Sequence, residues 1–167
     1  MSLTEKEKKV YEVLDELGIT YTRHEHPPVF TVEEAEKHWT EISGAHCKNL
    51  FLRNKKGNRH YLVILEASKA AALKSLNDLL GEDRLSFASE QRLMKYLDLE
   101  AGSVSVFGLI NDKENHVKVV IDEDLKKADA VNFHPNVNTA TVGISFADFE
   151  KFLVWSGNSF RFFPVKG

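Results

Sequence analysis

Apolar residues change their spacing several times along the chain, and each change predicts an element. Val10, Val13, Leu14 and Leu17 recur at helical spacing behind a capping box of Thr4 and Glu7, and Gly18 stands where that helix should end. Ile19 and Tyr21 then alternate with polar residues, which predicts a strand to about His24, broken by "HPP". Thr31 and Glu34 form a second capping box, for a short helix to about Trp39. "KNLFLRN" and "RHYLVILEA" read as the strands of a hairpin around an "NKKG" turn. The second of them is apolar on both faces, which predicts a central strand. Ser68 is expected to cap a helix through Leu80, ended by Gly81. "RLSFA" predicts a short strand, and Ser89 a capped helix to about Leu97. "AGSVSVFGLIND" reads as a glycine-bounded loop and strand. "HVKVVID", "AVNF" and "NTATVGI" are strands, and "HPNV" is a turn with Pro135 at its favoured second position. Ser145 caps a last helix carrying Phe146, Phe149, Phe152 and Leu153, and "SFRFFPV" closes the chain as a strand. The order predicts one α+β domain over 1–167, with a mixed or antiparallel sheet.

One residue breaks the pattern. In a strand over 47–53, Lys48 shares a face with Leu50 and Leu52, and Asn49 shares the other with Phe51. A lysine in line with core-facing leucines can lay its stem on apolar surface and reach water with its ammonium. It can equally stand at the rim of an apolar pocket. There it would hold a phosphate, stabilise developing negative charge, or act as a nucleophile if its pKa were depressed. The residue type alone leaves these open.

Composition narrows the classes. The chain has 167 residues, 43% apolar and 28% charged, which suits one soluble domain with room for a core. No apolar run is long enough for a transmembrane helix, and the first residues lack the apolar stretch of a signal peptide, so a cytoplasmic protein is expected, without membrane association. Cys47 is the only cysteine, which excludes an intrachain disulfide and a cysteine metal cluster. The net charge of −3 provides no whole-molecule attraction for nucleic acid. DNA is not an expected partner, and any RNA contact must rest on a local patch. Arg53, Lys55, Lys56 and Arg59 around the hairpin turn form such a patch, or merely a solvated turn.

Other chemistry has weaker support. His24 and His26 share a strand face, and His46 precedes Cys47, but no ligand spacing surrounds them, so no metal and no other cofactor is expected. Ser103 or Ser105 with His134 and Asp112 would make a serine hydrolase on paper, yet no GxSxG elbow encloses either serine. Gly102 lets backbone approach a ligand closely. "NFHPNVNTAT" gathers His134, Asn136, Asn138 and Thr139 around one turn, where they line a site or satisfy the turn's own backbone.

"CKNLFL", "GSVSVFGLIND" and "HPNVNTATVGIS", in that order, resemble the YbaK/ProX editing-domain family associated with prolyl-tRNA synthetase. The resemblance extends over nearly the whole chain and is greatest to the free-standing ProX branch. It implies a compact α+β fold with a mixed, partly barrel-like sheet and flanking helices. It implies a metal-independent aminoacyl-tRNA deacylase acting in trans on mischarged tRNA(Pro), with alanine the amino acid removed in the ProX branch and cysteine in the YbaK branch. Prolyl-tRNA synthetase would be a transient partner. By the same resemblance Lys48 is the residue most needed for activity, and Gly102 and Ser103 offer backbone to the ester carbonyl. Asn49 and His134 then shape the site, with Asn136 beside the substrate. Val29, Phe30, Phe51 and Phe107 are the candidates for a small apolar side-chain pocket, with ordinary core as the competing reading. Where many relatives have proline after the second serine of "GSVS", this chain has Val106. A binding module for RNA ends without turnover, or a small-molecule binding protein, would share several of these features.

Overall fold

The computed structural model describes residues 3–28, 42–70 and 72–165. The helix expected between Thr31 and Trp39 lies outside them. Helix α1 (Glu5–Glu16) begins on Thr4, whose hydroxyl accepts the Glu7 N–H at 3.2 Å. The box is only half closed. Glu7 turns inward and its carboxylate accepts from the Tyr11 hydroxyl (2.5 Å) and from Arg23 Nε (2.7 Å). Gly18 ends the helix in the left-handed region (φ 68°), which costs glycine nothing.

The strands are β1 (Tyr21–Glu25), β2 (Ala45–Asn54), β3 (His60–Glu66), β4 (Leu85–Phe87), β5 (Val117–Asp122), β6 (Ala130–Phe133), β7 (Ala140–Ser145) and β8 (Phe160–Phe163). They form one mixed sheet in the order β1-β7-β6-β2-β3-β5-β8, with β4 also on β2. β2 and β3 are the expected antiparallel hairpin, and β3 lies inside the sheet, parallel to β5. Its two apolar faces serve two cores. Leu62 and Ile64 join Phe51 in the large core beneath α1 and α4 (Phe146–Ser156). Tyr61, Val63 and Leu65 join Leu52 in a smaller one beneath α2 (Leu73–Leu80).

Two local expectations fail. α2 starts at Leu73 with Ala72 before it and no side-chain cap. Ser68 instead bonds Glu66, its hydroxyl and N–H both donating to that carboxylate. Residues 101–111 form two 3₁₀ segments, Ala101–Ser103 and Val106–Asn111, and not a strand. Five consecutive residues from Val106 to Ile110 are buried, so spacing could not separate a buried strand from a tight helical turn. Ser105 caps the second segment by accepting the Phe107 N–H (3.2 Å), which holds the loop where Val106 replaces proline. Ser89 and Ser145 cap α3 (Glu90–Leu97) and α4 as expected, each accepting an N–H three residues on. Among the described residues no helix is long and apolar enough to cross a membrane.

His60 is fully buried, stacked on Phe51 with ring centroids 5.6 Å apart. Arg92 Nη1 donates to its Nε2 (3.0 Å), which leaves the ring proton on Nδ1, facing His116 Nε2 at 2.8 Å. Burial, and then the neighbouring His116 and Arg92 side chains, push its pKa down to about 4. The unfolded chain therefore binds this proton more readily. The stabilisation is present above pH ~6.5 and is lost as pH falls from there towards the folded pKa. Urea unfolding at pH 7.5 and pH 5 should reveal a loss of about 2 kcal/mol attributable to this ring. His60→Gln, which cannot titrate, should flatten that difference; an unaltered pH slope would assign it elsewhere.

Candidate active site

β2 changes partners along one edge. Ala45 and His46 pair with β6, in parallel, and the stretch from Leu52 to Asn54 pairs with β4, antiparallel. Between these ladders, residues 47–51 have no strand partner on that edge among the described residues. β6 and β4 thus diverge from β2 as a fork, and Lys48 and Asn49 stand at its base. The Phe51 carbonyl accepts the Ala88 N–H (2.9 Å) on the β4 side, and strand alternation turns the backbone of Asn49 the same way. An open length of sheet bounded by diverging strands is a common place for a ligand crevice.

The two residues serve opposite faces. Lys48 is opposite Leu65, on the face of the smaller core, and Asn49 is opposite Ile64, on the face of the large one. The parity read from the sequence is therefore real. The Lys48 ammonium is not stranded against leucine: it donates to the main-chain carbonyl of Lys69.

On the other face, Asn49 and His134 line one small pocket of ≈ 30 Å³ together with Cys47, Asn132 and Thr141. His134 Nδ1 lies 3.0 Å from the Ala140 carbonyl, which must accept, so the proton is on Nδ1 and Nε2 is the acceptor. Burial drives the His134 pKa below the ordinary histidine value and outweighs that carbonyl, so the ring is neutral at pH 7. The side-chain oxygens of Asn49 and Asn132 are buried, without a hydrogen-bond partner among the described residues. Asn132, a buried residue, was missed in the sequence, where an asparagine inside the apolar "AVNF" was the only visible trace. Its amide donates to the carbonyls of Ser43 (2.9 Å) and Ala45 (3.2 Å), tying β6 to the entry of β2. Gly143 makes this possible: a Cβ there would lie 2.6 Å from the Asn132 side-chain oxygen and 2.8 Å from Thr22 Oγ1.

Ser103 and Asn136 meet in a neighbouring cleft of ≈ 430 Å³, whose rim includes Asn138, Thr139 and the start of α1. Asn136 takes φ 63° at the third position of the "HPNV" turn, where asparagine is tolerated. Its amide donates to the Phe107 carbonyl (3.3 Å), joining the second and third motifs. The Ser103 N–H is already taken, donating to the Glu100 carbonyl (2.9 Å) in the 3₁₀ turn that also contains Gly102. His26 stands beside the small pocket: Nε2 lies 2.9 Å from Thr141 Oγ1, and its ring is 6.1 Å from that of His134.

The remaining candidates lie apart. Phe51 and Phe107 are buried in the large core, and Phe107 meets Phe133 and Phe152 edge-on at 5.8 and 5.2 Å. Val29 and Phe30 lie outside the described residues. Arg53, Lys55, Lys56 and Arg59 are at the far end of β2. Lys55 and Lys56 are exposed, whereas Arg59 is held by both Glu82 oxygens at 2.8 and 2.7 Å. Asp112 is not poised as a triad acid, since it accepts from the His116 and Val117 N–H groups and from Asn158.

A model of the aminoacyl-tRNA editing domain matches residues 26–152. The chain is 49% identical over 148 residues to the prolyl-tRNA editing protein ProX of Acetoanaerobium sticklandii, covering 89% of this chain and 90% of that one. It is 34% identical to the mouse prolyl-tRNA synthetase associated domain-containing protein 1, over 95% of both chains. Among solved structures, a crystal structure described as a candidate trans-editing enzyme for prolyl tRNA synthetase superposes with a TM-score of 0.75 at 20% identity, over 99% of each chain. That likeness concerns the fold.

Proposed function

Because the chain belongs to the aminoacyl-tRNA editing domain family, we propose that it acts in trans on tRNA(Pro) carrying the wrong amino acid and hydrolyses the ester, releasing alanine. An aminoacyl ester is already activated, so no covalent nucleophile is needed. The protein must hold the RNA end, position a water and stabilise the tetrahedral oxyanion. The observation that carries the reading is the fork in β2, with a lysine on one face and, on the other, a small polar pocket containing a neutral histidine.

In this reading the Lys48 ammonium binds the terminal phosphate or ribose and offsets the developing charge. The loop of Gly102 and Ser103 faces the ester carbonyl, the serine through its hydroxyl. His134 Nε2, the acceptor of a neutral ring, and the Asn49 oxygen, unpartnered among the described residues, orient the water or the amino group. The attacking water gives up its proton as the C–O bond to the ribose breaks, and the ribose oxygen takes a proton as it leaves. Arg53, Lys55 and Lys56 would contact the acceptor-stem backbone, with Arg59 shared between RNA and Glu82. Prolyl-tRNA synthetase is a transient partner in this scheme, as the source of the mischarged tRNA.

The pocket beside Asn49 and His134 accommodates about one or two water-sized groups. That favours a methyl side chain over a pyrrolidine ring. Rejecting a larger group by clash is the easy direction of discrimination, whereas a missing methylene is worth only about 1–3 kcal/mol, so a synthetase that admits alanine needs a second sieve. Incubating the protein with tRNA(Pro) charged with alanine, cysteine, serine or proline tests this. Alanine should be released fastest and proline spared. Faster release of cysteine would move the specificity, and binding of each tRNA without release would indicate a module without turnover.

A further inference from the structure

Lys69 lies in the turn that leaves β3, closed by its N–H donating to the Glu66 carbonyl at 3.0 Å. Its ammonium has three acceptors: Asp122 Oδ1 at 2.8 Å, Asp124 Oδ2 at 2.7 Å and the Val165 carbonyl at 2.6 Å. These use all three of its N–H groups. Asp122 is fully buried, and its second oxygen accepts the Glu66 N–H at 3.1 Å. One carboxylate therefore grips the turn at both ends, by backbone at Glu66 and by side chain at Lys69. Burial works against the Lys69 charge, but Asp122 and Asp124 outweigh it and its pKa is raised. What sets this network apart from an ordinary structural ion pair is the use made of the Lys69 main chain. Its carbonyl is the acceptor for the Lys48 ammonium.

We propose that Lys69 is a positioning residue for the deacylation reaction, its anchored side chain fixing the carbonyl that holds the Lys48 ammonium at the fork. This rests on the reading of Lys48 as the residue that meets the RNA end. A free lysine head samples many rotamers, and ordering it when substrate arrives costs entropy. A carbonyl that holds it beforehand removes part of that cost. A neutral acceptor also leaves the positive charge intact, where a carboxylate in its place would cancel it. Among the described residues Lys48 has no other acceptor, which leaves two of its three N–H groups for the substrate.

The test uses the full chain and alanyl-tRNA(Pro). Lys69→Met keeps the stem and removes the anchor; kcat should fall about tenfold or more with KM within about threefold, the pattern of a misplaced group and not of lost binding. Lys69→Arg, which can still pair with both carboxylates, should recover most of the rate. In a Lys48→Ala background Lys69→Met should add no further loss, whereas a merely structural role would slow both backgrounds alike. An unchanged kcat in Lys69→Met, with activity lost in Lys48→Ala, overturns the inference and leaves the role of Lys48 standing. Full activity in Lys48→Ala overturns both. Should Lys69→Met fail to fold, Asp124→Asn removes one tether while sparing Asp122; it should lower kcat in the same direction, and an unchanged kcat again overturns the inference.

Discussion

Lys48→Ala should lower kcat/KM for alanyl-tRNA(Pro) by about 10²-fold or more, the range seen when one preorganised donor is removed from a developing oxyanion. The fold should barely register the change. Lys48 is only half-buried, and its one hydrogen bond among the described residues is to the Lys69 carbonyl, so about 1 kcal/mol of stability is at stake. That separation makes the variant informative: a large kinetic effect on a protein with near-normal urea unfolding assigns the loss to the reaction. Lys48→Arg should restore little, because a guanidinium is wider, planar and differently hydrated. Full activity in Lys48→Ala would falsify the role given to this residue.

Phe107→Ala should do the reverse. The ring is completely buried and lies edge-on to Phe133 and Phe152, at 5.8 and 5.2 Å between centroids. Removing it forfeits the transfer energy of the ring and leaves a cavity that rigid neighbours cannot close, about 3–5 kcal/mol in all. The loss would be read as a shifted midpoint in urea at unchanged slope. Amino-acid preference among the deacylated tRNAs should stay the same, because the ring faces core and not the pocket of Asn49 and His134. Asn136 still finds the backbone carbonyl of residue 107 in the variant, so residual folded protein should remain active. Altered selectivity at undiminished stability would return Phe107 to the substrate pocket.

These two residues also mark how far the sequence could be read. The hairpin, the caps at Ser89 and Ser145 and the central position of β3 depend on neighbours within a few positions, and all were legible. The parity of Lys48 and Asn49 was legible too, because alternation follows directly from the strand. The run from Val106 to Ile110 was not, since buried strand and buried 3₁₀ turn have the same apolar signature. Ser68 looked like a cap because its residue type favours one, but Glu66, two positions earlier, captures it. The partners of Lys69 lie 53, 55 and 96 positions away, and no local rule reaches that far. Asn132 needed the sheet order before its burial meant anything. Phe51 and Phe107 were candidates for a pocket or for core, and only packing could separate the two.

The fork in β2 has a further consequence, for solubility. Unpaired strand backbone is a hazard when it lies on the rim of a sheet, since another chain can zip onto it and begin aggregation. Here the length without a strand partner among the described residues is short, lies in the interior of the strand order, and is flanked on the same edge by β6 and β4. A second sheet edge cannot extend a ladder into so brief a gap without meeting those strands. The protein can thus keep backbone groups open to a small ligand while denying them to another copy of itself.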